Sequence, residues 1–295
     1  LKWRKNDKKQ IVGICVAIVL IAFYFGLKSY TNHVAEQRVN DVIAKAAPMV
    51  GIDYGKVTVA LLSRNVTISD VIVSSLETPD RLKIDEIILR DFDDESEVPV
   101  FFNGSIKGME VGLDMFGDAA QQDFRELGYT QSLLFNTDID YRYDEKNKDL
   151  NIKKIAVSAN DVGKLSLNLK LGNIDFDPDE MLGLLFTYPQ LLIHDAKIDY
   201  RDDSLTQRTL QYSARKNGIQ VKELKEQISE MLQAEIDNEK DKFTKNAFKA
   251  VKKFIEKPEK FSISVSPSKP TPVGRIFSAQ DPNDLVEMLD IEIKT

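Results

Sequence analysis

Two histidines, one cysteine and a scatter of carboxylates are the side chains from which this chain could build chemistry. His33 and His194 lie far apart in sequence and Cys15 sits inside an apolar run, so a zinc site of nitrogen and sulfur ligands is effectively excluded. No nucleophile elbow, HExxH pair, phosphate-cradling glycine loop or dinucleotide fingerprint occurs. His33 reads as an interfacial residue and His194 as a solvated or satisfied strand histidine. Three acidic stretches, residues 91–97 (DFDDESE), 138–149 (DIDYRYDEKNKD) and 173–180 (NIDFDPDE), offer the hard oxygen donors that Ca²⁺ takes. None has the glycine and the closing glutamate of an EF-hand loop, and they read as solvated turns and a helix cap. A carboxylate-only hydrolase, such as a glycosidase, leaves no short motif and is the enzyme class still open. The expectation is a non-enzymatic protein with no catalytic residue, cofactor or metal.

The elements that would have to position any site follow from charge and periodicity. With 295 residues, 42% hydrophobic and 29% charged, the chain can bury one substantial core or two modest ones. A single cysteine permits no intramolecular disulfide, so folding rests on packing. The formal net charge is −7, yet Lys2, Arg4, Lys5, Lys8, Lys9 and Lys28 face only Asp7 within residues 1–30, which leaves the remainder more acidic than the whole. Such a remainder argues against broad binding to nucleic acid or to anionic headgroups. Residues 11–27 (IVGICVAIVLIAFYFGL) carry no charge and would span roughly 25 Å as a helix, the lower limit for crossing a bilayer.

A transmembrane helix is therefore expected over residues 11–30, anchored by Ile11, Val16, Leu20, Phe23 and Leu27. The alternative, a cleaved signal peptide, lacks a small-x-small site. The basic tail, residues 1–10, predicts a cytoplasmic N-terminus, with the C-terminal domain in the periplasm of a bacterium and the chain in its inner membrane.

Residues 31–49 read as a helical stalk, 50–203 as a β-rich exported domain, and 204–295 as a helical segment with closing strands. Alternation marks strands at 56–62, 65–73, 82–89, 133–143, 150–158, 164–171 and 190–200. Asn103-Gly104 reads as a hairpin turn. The segments 61–71 (LLSRNVTISDV) and 191–201 (LLIHDAKIDYR) echo each other as alternating strands. Residues 222–257 read as a long charged helix, or a pair broken at 237–241, with an apolar row of Leu224, Ile228, Leu232 and Ile236 that either packs on the β-domain or meets a partner. The predicted fold class is α+β: an N-terminal transmembrane helix, a mainly antiparallel β-rich periplasmic domain, and a long amphipathic helix in the C-terminal third.

The strand Val57-Thr58-Val59-Ala60-Leu61-Leu62 leading into Val66-Thr67-Ile68-Ser69-Asp70-Val71, followed by Ile84-Asp85-Glu86-Ile87-Ile88-Leu89, resembles the opening of AsmA-like and related single-pass-anchored periplasmic proteins, over residues 1–115. That resemblance implies lipid-handling bridges or envelope-assembly factors, and this chain is short for a bridge. The leading expectation is a scaffold that assembles a membrane or envelope complex with other membrane or periplasmic proteins. The alternative is an accessory protein that binds or transfers a lipid or other apolar ligand. Partners are then the membrane, proteins and, in the alternative, lipid; nucleic acid is not among them.

Overall fold

Period-two alternation dictates most of this fold. The computed structural model describes residues 32–47, 50–60, 63, 65–76, 81–93, 96, 99–130, 132–175, 187–279 and 281–295, and in them twelve strands and seven α-helices, with antiparallel pairing throughout the registered pairs. The chain divides into two compact units, one ending at Ile139 and one running from Asp140 to Thr295.

In the first unit, helix α1 (Asn32–Ala46) turns Ala35, Val39 and Ala46 inward at helical spacing, each almost fully buried. They face strands β1 (Val50–Asp53) and β2 (Lys56–Val59), and the Tyr54 hydroxyl donates to Asn40 Oδ1 at 2.8 Å across the same contact. β1 and β2 together form one interrupted edge along β3 (Val66–Ser75), with the Gly55 N–H donating to the Ser69 carbonyl at 3.0 Å where they meet. β4 (Arg81–Phe92) and β5 (Phe101–Val111) continue the sheet. Ile68, Ile87 and Ile106 stand directly opposite one another across β3, β4 and β5, and they are 0%, 0% and 2% exposed, the centre of this core. Gly108 interrupts β5 at φ +62°, where a Cβ would collide with the Asp85 carboxylate. Its N–H turns to Asn136 Oδ1 at 3.0 Å. Helix α2 (Asp118–Glu126) follows, and its Phe124 ring packs between Phe116 and Tyr129 at 5.2 and 5.7 Å. The unit boundary falls within β6 (Leu133–Asp144).

The second unit sets β7 (Asp149–Ala159), β8 (Gly163–Gly172) and β9 (Leu192–Asp202) side by side. Three helices come next: α3 (Leu205–Lys216), α4 (Val221–Asn238) and α5 (Lys242–Glu256). β10 (Lys260–Val265) then pairs with β9, and β11 (Thr271–Pro272) with the start of β9. Helices α6 (Val273–Ser278) and α7 (Pro282–Leu289) lead to β12 (Ile291–Lys294), which pairs with β10. The long helix of the sequence reading is thus a pair. Asp241 ends the break by accepting the Thr244 N–H at 2.7 Å, an N-cap that restarts the helix.

Several expectations are corrected. No helix of the described residues is long and apolar enough to cross a membrane, because the longest, α4, carries charge along its length. The fold class and the single-pass description are corrected to that extent: among the described residues there is no transmembrane element. Residues 11–27 and the anchor positions Ile11, Val16, Leu20, Phe23 and Leu27 lie outside the described residues, as do residues 177–180, where a helix cap is expected. The helix at 31–49 packs on β1 and β2 instead of standing as a free stalk. Asn103-Gly104 does not turn. β5 runs through both, with Gly104 opposite Leu89 and the Phe102 ring covering the space where a Cβ would stand. Among the closing strands, β11 is only Thr271–Pro272, and the chain continues directly into α6. The division expected at residue 203 falls inside the second unit.

Candidate functional site

The described parts of the acidic stretches lie at strand ends, in strand β6 and in the turns that follow them. Asp93 is 5% exposed and its carboxylate accepts the N–H groups of Ser96 and Val100 at 3.3 and 3.0 Å, closing its own loop. Asp144 accepts from the Asn147 side chain at 2.7 Å and from the N–H groups of Lys146 and Asn147, bonds that hold its carboxyl below the usual carboxylate range. Asp138 receives Ser105 Oγ at 2.6 Å and Lys107 Nζ at 3.4 Å, and Asp175 pairs with Lys148 at 2.5 Å. Residues 177–180 lie outside the described set. Among the described residues, no three His, Cys, Asp or Glu stand close enough together to hold a metal ion.

The side chain of His33 is outside the described set. His194 is the extra residue of a bulge in β9, for Lys170 pairs with Asp195 and Leu171 with Ile193. Its ring lies over Gly172, where a Cβ would stand 2.5 Å from Nε2, and Nε2 is 3.7 Å from Asp149 Oδ1. Among the predicted partner-face residues of α4, Leu232 and Ile236 are buried at 8% and 4% exposure, whereas Leu224 and Ile228 are half-buried. The row is largely consumed by packing against α5 and α3.

What the structure assembles instead is a sheet with two opposed faces. Directly paired residues share a face, and in the second unit the pairs are aliphatic. One row across β7, β8, β9, β10 and β12 reads Ile155, Leu167, Ile198, Ile263 and Ile293. A second reads Ile152, Leu169, Ala196, Val265 and Ile291. A third, Val157, Leu165, Tyr200 and Phe261, is met by α5, whose Phe254 ring lies 6.1 Å from Tyr200 and 5.7 Å from Phe261. Helical cover on that row thus falls on the β9–β10 side. Val157, Leu165 and Ile198 remain 38%, 52% and 45% exposed.

The opposite face is polar. It carries Lys164, Ser166 and Asn168 of β8, Lys197, Asp199 and Arg201 of β9, and Lys260 of β10, and Lys164, Ser166, Asp199, Arg201 and Lys260 line an open depression there. Asp199 Oδ2 is 2.8 Å from Lys197 Nζ and its Oδ1 is 3.2 Å from Lys260 Nζ. Burial works to raise the Asp199 carboxyl, but hydrogen bonds from the two lysines, with their charges, outweigh it and hold the group below its ordinary value of 3.8. Since the folded value lies below the unfolded one, the stabilisation is fully present above about pH 4 and is lost as pH falls through the depressed folded value. Asp199→Asn is expected to cost about 1–2 kcal/mol at pH 7. The difference from the parent should narrow in urea unfolding at pH 3, and a constant difference at both pH values would refute the ion-pair account.

The apolar face was legible as alternation at 150–158, 164–171 and 190–200, but nothing in the spacing says which alternating face is left bare. A family model described as an uncharacterized protein matches residues 156–295, a span that lies within the second unit. The chain is also similar, at 22% identity over 314 aligned positions covering 97% of this chain and 100% of the relative, to an uncharacterized protein of Aquifex aeolicus (strain VF5). Neither description names an AsmA-like protein.

Proposed function

We propose that this is a non-enzymatic binding protein whose second unit holds the acyl part of a lipid on the apolar face of its sheet. The observation that carries the reading is the exposure of Leu165, Ile198 and Val157 on an aliphatic face whose reverse side is polar. A sheet segregated in this way leaves water against hydrocarbon unless something covers it. The chemistry of the bare part favours hydrocarbon over protein. Its exposed residues are Leu, Ile and Val, without the Trp, Tyr and Arg that dominate protein hot spots. Leu165, Leu167, Leu169 and Leu171 run along β8 for about 20 Å at roughly 3.3 Å per residue, comparable to an extended long acyl chain. A largely aliphatic floor with few polar groups is how apolar ligands are held.

Organic extraction of the purified full-length protein, followed by mass spectrometry, tests this. A long-chain lipid should be recovered, and the double variant Leu165→Ser with Ile198→Ser should retain at least ten-fold less of it with little change in thermal midpoint. Equal lipid in parent and variant would refute the site.

Scaffolding of an envelope complex is the second reading, and one observation favours it. Tyr188 and Phe277 form an edge-to-face pair at 6.0 Å while 46% and 73% exposed, the kind of aromatic anchor that protein interfaces use. Native mass spectrometry separates the two readings: a stoichiometric protein partner without lipid would favour scaffolding.

A further inference from the structure

Helix α5 gathers its lysines on one side. Its sequence, KFTKNAFKAVKKFIE, holds five lysines, no arginine and one acid, Glu256, in a chain whose formal charge is −7. Lys242, Lys245, Lys249 and Lys252 recur at i, i+3, i+7 and i+10, and Lys253 stands beside them, so the ammonium groups form one stripe along the helix. The opposite side, with Phe243, Ala247, Ala250 and Phe254, supplies the packing residues, of which Ala250 is buried and Phe254 meets Tyr200 and Phe261. Lys252 donates to Gln233 Oε1 and Lys253 to the Thr295 carbonyl, both at 2.8 Å, while Glu256 Oε1 accepts from Ser229 Oγ at 3.3 Å. The ammonium groups of Lys242, Lys245 and Lys249 have no ion-pair or hydrogen-bond partner among the described residues. Like charges crowded on one helix face destabilise the helix, so a row that folding leaves unneutralised points to an outside anion.

We propose that the lysine stripe of α5 docks the protein on an anionic lipid surface, by electrostatic contact without insertion. The apolar side of α5 is largely engaged by α4 and by the sheet, with Val251 38% exposed, so the lysine row is the main surface that α5 offers a bilayer. Lys242 to Lys253 extend about 16 Å along a straight helix, a line that a plane can touch at every point. The acidic remainder of the chain does not cancel the attraction, because at physiological salt charges more than about 8 Å away are screened. A nucleic acid fits the row less well. The stripe lacks the arginines that pair phosphates bidentately, and its line of about 16 Å suits a plane. The proposal stands apart from the acyl-binding site, which involves the sheet and not the lysines.

The test is residue-resolved lysine acetylation of the full chain, read by mass spectrometry, with and without vesicles. Vesicles containing phosphatidylglycerol should slow modification of Lys242, Lys245 and Lys249 by ten-fold or more, reversibly in salt of about 1 M, where the screening length is about 3 Å against about 10 Å at 0.1 M. Zwitterionic phosphatidylcholine vesicles should leave the three rates unchanged. Lys222 on α4, 86% exposed, is the internal control and should react alike in all conditions. Replacing the three lysines by glutamine should weaken binding to anionic vesicles by about 100-fold, near five-fold per lysine, and arginine at the same positions should preserve it. Protection equal in both vesicle types, or protection by RNA with none by anionic vesicles, would overturn the proposal. Recovery of acyl lipid by extraction is read separately, so either idea can fail alone.

Discussion

Ile87→Ala is expected to destabilise the protein by about 3–4 kcal/mol, whereas Leu165→Ala, which removes as many carbons from an equally regular strand, should cost less than about 1 kcal/mol. The two side chains differ in what surrounds them. Ile87 is wholly buried between Ile68 and Ile106, and truncation removes its transfer energy while leaving a cavity that flanking strands hold open. Leu165 pairs with Val157 on one side and Tyr200 on the other, but it is 52% exposed, so half its surface is already in water and no closed cavity forms. Urea unfolding of both variants at pH 7 measures the difference directly. A loss at Leu165 matching that at Ile87 would mean that the face is covered in the free protein, and the acyl-binding reading would fall with it.

That contrast also marks how far the sequence could be read. Alternation located β3, β4, β7, β8 and β9 to within a few residues, and the charged, helix-poor stretch at 237–241 located the break between α4 and α5. Alternation states that one face of a strand is apolar. It does not state whether that face meets another layer, and Ile87 and Leu165 look alike on this criterion. Local turn signals failed where tertiary packing overrode them. Asn103-Gly104 is a strong hairpin signal in isolation, yet Gly104 here is a strand residue whose missing side chain makes room for the Phe102 ring. The bulge at His194 left no mark on the pattern, because a bulge is set by the register of the neighbouring strand as much as by its own residues. The lysine stripe of α5 was present in the spacing all along. It was hidden by reasoning from net charge, which averages a cationic helix with its acidic neighbours.

Gly163→Ala should be the other severe variant, lowering stability by about 2–4 kcal/mol although it adds a single methyl group. Gly163 opens β8 at φ +156°, at the limit of what a residue with a Cβ adopts, and it sits buried opposite Asp202 and Ala159. A Cβ would stand 2.6 Å from the Arg201 carbonyl oxygen and 3.1 Å from the Tyr200 ring. The carbonyl cannot rotate aside, because it belongs to the β9 backbone that pairs with β8 and β10 at this level. Relief would require β8 and β9 to separate at the point where Val162, just before Gly163, takes three backbone N–H bonds from Asp203, Ser204 and Leu205 at its carbonyl, the junction that starts α3. The Tyr200 ring, which holds α5 through Phe254, would shift with it. Thermal unfolding followed at 222 nm and at the near-ultraviolet tyrosine band should therefore show both helix and aromatic packing lost earlier in the variant. Gly218, also at positive φ (+69°) but with open space around it, shows what a left-handed backbone costs without a collision: Gly218→Ala should cost only about 1 kcal/mol. Equal losses at the two positions would assign the effect to backbone conformation alone and remove the collision with Arg201 from the account.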